Sequence, residues 1–364
     1  MSGIAEELDS IIKSKEFTGT HFNFEPEIEY KVSTGSLKLD LALGGGISNG
    51  IIRFTGNSEA GKTEASLEIA RNFQIKFGDE AFVLYIKAEG RLPQDKKDRS
   101  GIDQDPNKFF VFRSNLYEPS FDLIERIIKT YKGKKKIMVI VDSLNSLVTR
   151  ENVNKSYSEN PKTMSAAALN SMAMARLGSP INELGHMLIL ISQIREQPSL
   201  SKYEESKQRG YTKGTGGNAL IHAPNTSLGF EKRNKGDYFK EDEGKPLEAF
   251  ANEGLGHMVK ITIEKCGNEK TLNKVTYPIR YGIKNGSSVW TELEVFEFLK
   301  TTKLVVKGGA WYTPSDYLKD KIEEKKLKGF DKIQGEKNFL AFLESNPKTK
   351  DYLFELIVEY YNAI

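Results

Sequence analysis

The chain has 364 residues, 38% of them apolar and 28% charged, an ordinary globular balance. That length exceeds one small core and points to one large domain with appendages. A net charge of +3 excludes a strongly basic chain, so charge that holds a polyanion must be concentrated locally. A single cysteine, Cys266, excludes an internal disulfide framework, suits a reducing compartment and reads as a strand-end filler. No apolar run approaches the ~20 residues that span a bilayer. The stretch Met1 to Phe17 lacks the basic-then-apolar layout of a signal peptide. A cytoplasmic location is therefore expected, with no membrane partner.

Residues 1–33 read as an accessory arm. Glu6, Glu7, Leu8, Ile11 and Ile12 form a short amphipathic helix pattern, and Phe17, Phe22, Phe24 and Ile28 follow in an extended, proline-interrupted stretch. Docking on a neighbouring subunit and lying on its own domain are both open for this arm. From about residue 34 strands and helices alternate. Apolar runs recur at 51–55, 81–86, 136–142 and 186–192, with helical stretches such as 62–76, 119–131 and 163–177 between them. Short, continuously apolar strands separated by helices predict a mostly parallel sheet covered on both faces, the doubly wound α/β class. Residues 225–231, 257–264 and 275–281 alternate apolar and polar side chains and read as later strands with one face partly wet. Gly282, Asn285 and Gly286 supply turn chemistry after them. Lysine and glutamate crowd 319–328, and apolar residues recur at helical spacing over 339–361, which predicts a small separate α-rich unit. The expected divisions are thus an arm over 1–33, a core over 34–300 and a small C-terminal domain over 301–364.

The string Gly56-Asn57-Ser58-Glu59-Ala60-Gly61-Lys62-Thr63 matches G-x-x-x-x-G-K-[ST] without deviation. A predicted strand precedes it and a helix follows, which is the context the motif needs. The glycines let backbone N–H groups close around a phosphate at a helix N-terminus. Lys62 can reach the β and γ oxygens of a triphosphate, and Thr63 can offer its hydroxyl to magnesium. ATP and Mg2+ are the ligands this chemistry implies.

The strand 136–142 ends in Asp142, which places a carboxylate at the sheet edge facing the phosphate loop and assigns it, with Thr63, to the magnesium shell. Hydrolysis also needs a group that positions the attacking water. Glu89 emerges just beyond the strand 81–86 at the same edge. Gln193 ends the strand 186–192, where an amide can hydrogen-bond a γ-phosphate. For both, spacing alone leaves open a plain solvated strand-end group.

Together these pieces resemble the RecA/UvsX recombinase family. The match runs from Ser33-Thr34-Gly35-Ser36-Leu37 through Gly44-Gly45-Gly46, the phosphate loop, Ala88-Glu89, Val141-Asp142-Ser143 and Ser192-Gln193-Ile194-Arg195. It continues through the specific string Thr215-Gly216-Gly217-Asn218-Ala219-Leu220 to Gly308-Gly309-Ala310-Trp311-Tyr312. The resemblance implies an ATPase core that forms a right-handed helical homo-oligomeric filament with ATP between subunits. It implies that Glu89 activates water, that Gln193 senses the γ-phosphate, that Lys265 reaches the neighbour's ATP, and that Tyr281 and Gly282 lie near the adenine. It implies that the N-terminal arm docks on the next subunit.

Several positions depart from the family pattern. Lys87 stands in place of the usual aspartate, and Ile263 in place of one of two trans-acting lysines. A tyrosine on the adenine side is replaced near Lys96, and His222 takes the place of an aromatic packing residue. The long acidic tail of many bacterial members has no counterpart here. These departures are what a divergent, phage-encoded member of the family is expected to show.

Two long segments, 150–163 and 196–217, lack periodic apolar content. The second carries Lys202, Tyr203, Lys207, Arg209, Tyr211 and Lys213 and ends in Gly216 and Gly217. Cations suit backbone phosphates and flat side chains suit bases, without base-edge reading. Composition alone leaves these as solvated loops. The resemblance makes them DNA-binding loops, with Arg176, Arg195 and Asn218 as further contacts. It names single-stranded DNA and homologous duplex DNA as partners; single-strand-binding and loader proteins are further candidates. A ring-forming hexameric helicase shares this core, but is expected to carry an arginine finger and to lack the Thr215–Leu220 string. A non-catalytic DNA-binding scaffold is opposed by the intact Lys62, Thr63, Glu89 and Asp142.

Overall fold

The computed structural model describes residues 28–131, 134–154, 166–194, 218–240, 242, 244–248, 251–267, 272–284 and 288–362. A short antiparallel pair, β1 (Lys31–Val32) and β2 (Ile47–Ser48), flanks helix α1 (Leu37–Ala42). The chain then winds through β3 (Gly50–Gly56), α2 (Lys62–Phe77), β4 (Ala81–Lys87), α3 (Gln94–Ser100), β5 (Phe109–Arg113), α4 (Tyr117–Thr130) and β6 (Lys136–Asp142). Next come α5 (Arg150–Val153), α6 (Ala166–Glu183), β7 (Met187–Gln193), α7 (Ala219–His222) and β8 (Thr226–Phe230), followed by β9 (Tyr238–Lys240), β10 (Gly254–Lys265) and β11 (Lys274–Arg280). The tail holds α8 (Thr291–Thr301), β12 (Val305–Gly308), β13 (Trp311–Pro314), α9 (Asp316–Glu324), β14 (Ile333–Gln334), α10 (Glu336–Ser345) and α11 (Pro347–Asn362).

The large sheet has the order β11-β10-β8-β3-β7-β6-β4-β5, with β9 paired to β10. Strands β8, β3, β7, β6, β4 and β5 are parallel, while β9, β10 and β11 form antiparallel pairings at one end. This is the mostly parallel α/β architecture the alternation of apolar strands and helices implies.

Alternating side chains of each strand feed two cores. Met138 and Ile140 join Phe54 and Tyr85 under Leu67 and Phe73 of α2. Val139 and Val141 join Ile51 and Leu84 under Ile124 of α4 and Leu177 of α6. Burial on both faces is why these strands read as unbroken apolar runs.

The structure differs from the periodicity in several places. β8 is buried along its whole length, because it lies between β3 and β10 and has no wet face. β5 and α3 were not legible as elements; α3 is a short polar helix, and β5 is an edge strand whose Phe110 is exposed. α6 continues to Glu183 with Pro180 inside it, while the expected residues 163–165 lie outside the described ones.

The tail is α-rich and also carries a three-stranded antiparallel sheet, β12-β13-β14. Those strands are two to four residues long, too short to show a period. A third core joins Phe296 and Leu299 of α8 to Tyr312, Phe339, Leu353 and Ile357. Leu37 and Leu41 of α1 insert into it, so the first helix of the core region bridges to the tail. Among the described residues, no helix is long and apolar enough to cross a membrane.

Candidate nucleotide-binding site

The carboxyl ends of the parallel strands meet at one edge. Gly56 of β3 lies opposite Gln193 of β7, and Lys87 of β4 lies opposite Asp142 of β6. In parallel α/β sheets ligands bind at this edge, where strand order reverses. Here the chain leaves β3, skips the places later filled by β7 and β6, and returns at β4.

The loop from Gly56 to Thr63 starts α2. Gly56 has φ of 141°, and a Cβ on it would stand 2.3 Å from the Phe230 carbonyl oxygen. Gly61 is left-handed at φ 95° and caps α2 without a side-chain hydrogen bond, leaving the first N–H groups of the helix for an anion. Lys62 is buried and donates to the carbonyls of Gly56 at 2.9 Å and Asn57 at 2.5 Å. Burial pulls its ammonium below the usual lysine range, against the opposing pull of Asp142, Glu64 and Glu89.

Thr63 donates its hydroxyl to Asp142 Oδ2 at 2.8 Å, and Tyr85 donates to the same oxygen at 2.5 Å. Thr63 and Asp142 thus stand together as a magnesium shell requires, one hydroxyl and one carboxylate. Among the described residues there is no cluster of three or more His, Cys, Asp or Glu that could cage a metal. That donor set fits Mg2+, which usually takes one or two protein oxygens and completes its shell with phosphates and water. Tyr85 was missed in the sequence because a strand tyrosine looks like core, which its ring also is.

Glu89 accepts hydrogen bonds at Oε2 from Ser143 at 2.8 Å and Ser146 at 2.6 Å. Gln193 Nε2 donates to both of its oxygens at 3.1 Å. The Ser146 and Ser143 bonds, helped by Gln193 and Lys62, hold the Glu89 carboxyl below its ordinary range. Gln193 is fixed in turn, its N–H donating to Asn145 Oδ1 at 2.8 Å, and the next residue, Ile194, donates to the Gly56 carbonyl at 3.2 Å. Ser146 and Asn145 lie in a single 3₁₀ turn, Leu144–Ser146, after β6, and their spacing carries no motif that points to Glu89.

These groups line a cavity of about 670 Å³ that includes Lys62, Thr63, Glu89, Asp142, Gln193 and, at its far wall, Tyr281. Ser58, Glu59, Ala60 and Gly61 line it as well, whereas Gly56, the last residue of β3, and Asn57 are not in its lining. Gly282, at φ 73°, turns the chain after Tyr281. Lys96 lies in the cavity, paired with Glu64 at 2.7 Å. Lys87 ends β4 and donates to the Glu89 carbonyl at 3.1 Å. Lys265 is not brought to this cavity within the chain; it donates to the His222 carbonyl at 2.7 Å. Ile263 is fully buried in the core.

Of the expected DNA contacts, Arg195, Lys202, Lys207, Arg209, Lys213, Gly216 and Gly217 lie outside the described residues, as do 155–163 of the first loop. Asn218 heads α7, its carbonyl accepting from Ile221 and His222. α7 is fastened to the phosphate-loop strand: buried Arg53 donates to the Leu220 carbonyl at 3.1 Å. Arg176 is half-exposed on α6 and pairs with Glu125 of α4.

A parallel sheet with this loop, this lysine and this strand-end aspartate defines a P-loop nucleotide-binding protein of the α/β class. The family model described as the RecA N-terminal domain matches residues 19–280. The chain belongs to the RecA family of recombinases. It is 28% identical to Protein RecA of Campylobacter jejuni subsp. doylei over 361 residues, covering 96% of this chain and 92% of that one. It is 27% identical to Protein RecA of Campylobacter hominis over 333 residues, covering 90% and 82%. Protein RecA of Nostoc punctiforme is 26% identical over 332 residues, covering 90% and 79%.

Proposed function

We propose that this chain is an ATP-dependent homologous-recombination protein that polymerises on single-stranded DNA, searches for homology in duplex DNA and exchanges strands, with DNA-stimulated hydrolysis of ATP to ADP and phosphate. The observation that carries this reading is the junction of Glu89, Gln193 and Gly56. The group suited to position water is hydrogen-bonded to the group at the root of the segment 196–217, and Ile194 in that root is bonded to the phosphate loop.

In this mechanism the loop N–H groups and Lys62 hold the phosphates. Thr63 and Asp142 hold Mg2+, which neutralises phosphate charge when bound. Glu89, kept ionised by the Ser143 and Ser146 hydroxyls, accepts a hydrogen bond from the attacking water and aligns it. A γ-phosphate competes with Glu89 for the Gln193 amide. Drawing that amide away removes one donor from the carboxylate and makes it a better base. The same shift moves the root of the second loop, so nucleotide and DNA affinities are linked reciprocally. Lys265 acts across the subunit contact on the neighbour's nucleotide, Tyr281 and Gly282 flank the adenine, and the arm 1–33 docks on the next subunit. The loops around 150–163 and 196–217, with Arg176, grip DNA through phosphates and stacking. The protein works in the cytoplasm, and loader or single-strand-binding proteins are its candidate helpers.

Electron microscopy of the protein with single-stranded DNA and a slowly hydrolysed ATP analogue tests this. Continuous helical filaments are expected. Closed rings would favour a hexameric motor, and ATP turnover indifferent to DNA would favour a scaffold.

A further inference from the structure

Arg233 lies in the loop after β8, outside every motif of the phosphate site, yet it lines the same cavity. Its Nη2 donates to the Glu59 carbonyl, at the tip of the phosphate loop, at 2.5 Å. Its Nη1 lies 3.4 Å from the Tyr281 hydroxyl, on the far wall. The guanidinium therefore spans the gap between the loop tip and the aromatic end of the cavity.

Both of these partners are neutral. Among the described residues Arg233 forms no ion pair within 4.0 Å. Two carboxylates that act on neighbouring His257 are matched to other cations, Glu64 to Lys96 at 2.7 Å and Asp237 to Lys260 at 2.5 Å. His257, beside Tyr281 with ring centres 5.4 Å apart, is held neutral at ordinary pH, its pKa lowered to about 4 by burial and by Arg233 itself. A planar cation with five donors, two of them on neutral oxygens and none on an anion, stands where a polyanion would pass.

We propose that Arg233 contacts the phosphate chain of the bound nucleotide, as a second cation beside Lys62 supplied from outside the phosphate loop. This rests on the cavity being the nucleotide site. The charge-assisted contact replaces part of what Arg233 now gives to Glu59 and Tyr281.

Titration with a fluorescent ADP analogue, with tripolyphosphate as competitor, tests the assignment. Absence of binding by the unaltered protein would sink the site itself, whatever Arg233 does. Given binding, R233Q is expected to weaken ADP about tenfold at low salt, the size of one partly exposed charge contact, and the gap should close as salt rises. Tripolyphosphate should weaken in parallel, and R233K should recover most of the loss. Unchanged ADP affinity in R233Q would overturn the proposal. So would a loss confined to ADP with tripolyphosphate unaffected, which would move Arg233 to the nucleoside. A loss that ignores salt and is not rescued by lysine would reduce Arg233 to a prop for the Glu59 turn, and would also overturn it.

Discussion

The carboxamide of Gln193 donates to both oxygens of Glu89, at 3.1 Å each. The two residues lie 104 positions apart; Gln193 ends β7, and Glu89 stands two residues beyond the end of β4. Because the amide is neutral, this contact is one that a nucleotide phosphate can outcompete. Gln193→Ala should leave nucleotide binding near its original strength while abolishing the stimulation of ATP turnover by single-stranded DNA. Steady-state hydrolysis measured with and without DNA reads this directly, and undiminished stimulation would remove Gln193 from the coupling.

Lys62 donates to the carbonyls of Gly56 and Asn57 at the start of the phosphate loop. A ligand that binds the folded state alone adds about 2.7 kcal/mol of stability at a hundred times its Kd. The unaltered protein should therefore melt higher with saturating Mg-ATP. Lys62→Ala should lose that rise and most hydrolysis. Full ATPase activity in this variant would refute the site.

Glu89 is an acid whose folded pKa lies below its ordinary value, so the carboxylate is favoured above that value and loses its stabilisation as pH falls through the lowered one. Its protonation should not limit turnover anywhere in the neutral range. Replacing Ser143 and Ser146 together by alanine removes the two largest causes of the depression. The acid limb of the kcat–pH profile should then shift upward. An unmoved limb would mean that another group sets it.

Arg176 is engaged by Glu125 on the neighbouring helix, with both side chains near the surface. A surface pair of this kind contributes little to stability. Glu125→Gln should release Arg176 and tighten single-stranded DNA binding. Arg176→Ala should weaken it and lower the salt slope by about one counterion. Fluorescence anisotropy across a salt series separates the two, and identical slopes in all three proteins would take Arg176 off the DNA path.

Phe339 is fully buried in the tail, its ring 4.7 Å from Phe296 and 4.9 Å from Phe330. Phe339→Ala should cost roughly 3–5 kcal/mol, the range for deleting a buried aromatic. Urea unfolding followed by tyrosine and tryptophan fluorescence measures it. A loss below about 1 kcal/mol would show that the site collapses around the cavity.

Much of the site was legible because its pieces are local. Gly56 to Thr63 is one turn of backbone, and the spacing of glycine, lysine and threonine is itself the geometry. Asp142 was legible because an apolar run must end at the sheet edge. Ser146, Asn145 and Tyr85 were not, since each acts on a residue tens of positions away. Arg233 was silent for the same reason: nothing adjacent to it in the chain marks Glu59 and Tyr281 as its partners. β5, α3 and the three short strands of the tail escaped because two to seven residues are too few to establish a period.

The amino-acid sequence alone determined the alternation of buried strands and amphipathic helices, and with it the parallel α/β class and the phosphate loop. Those depend on periodicity and local backbone chemistry, which a linear string preserves. Only the tertiary structure decided which strand ends stand side by side, that Gln193 meets Glu89, and that α1 and α8 share a core with the tail. Strand order is set by how whole faces pack across the sheet, and no short-range rule encodes a contact between residues 104 positions apart.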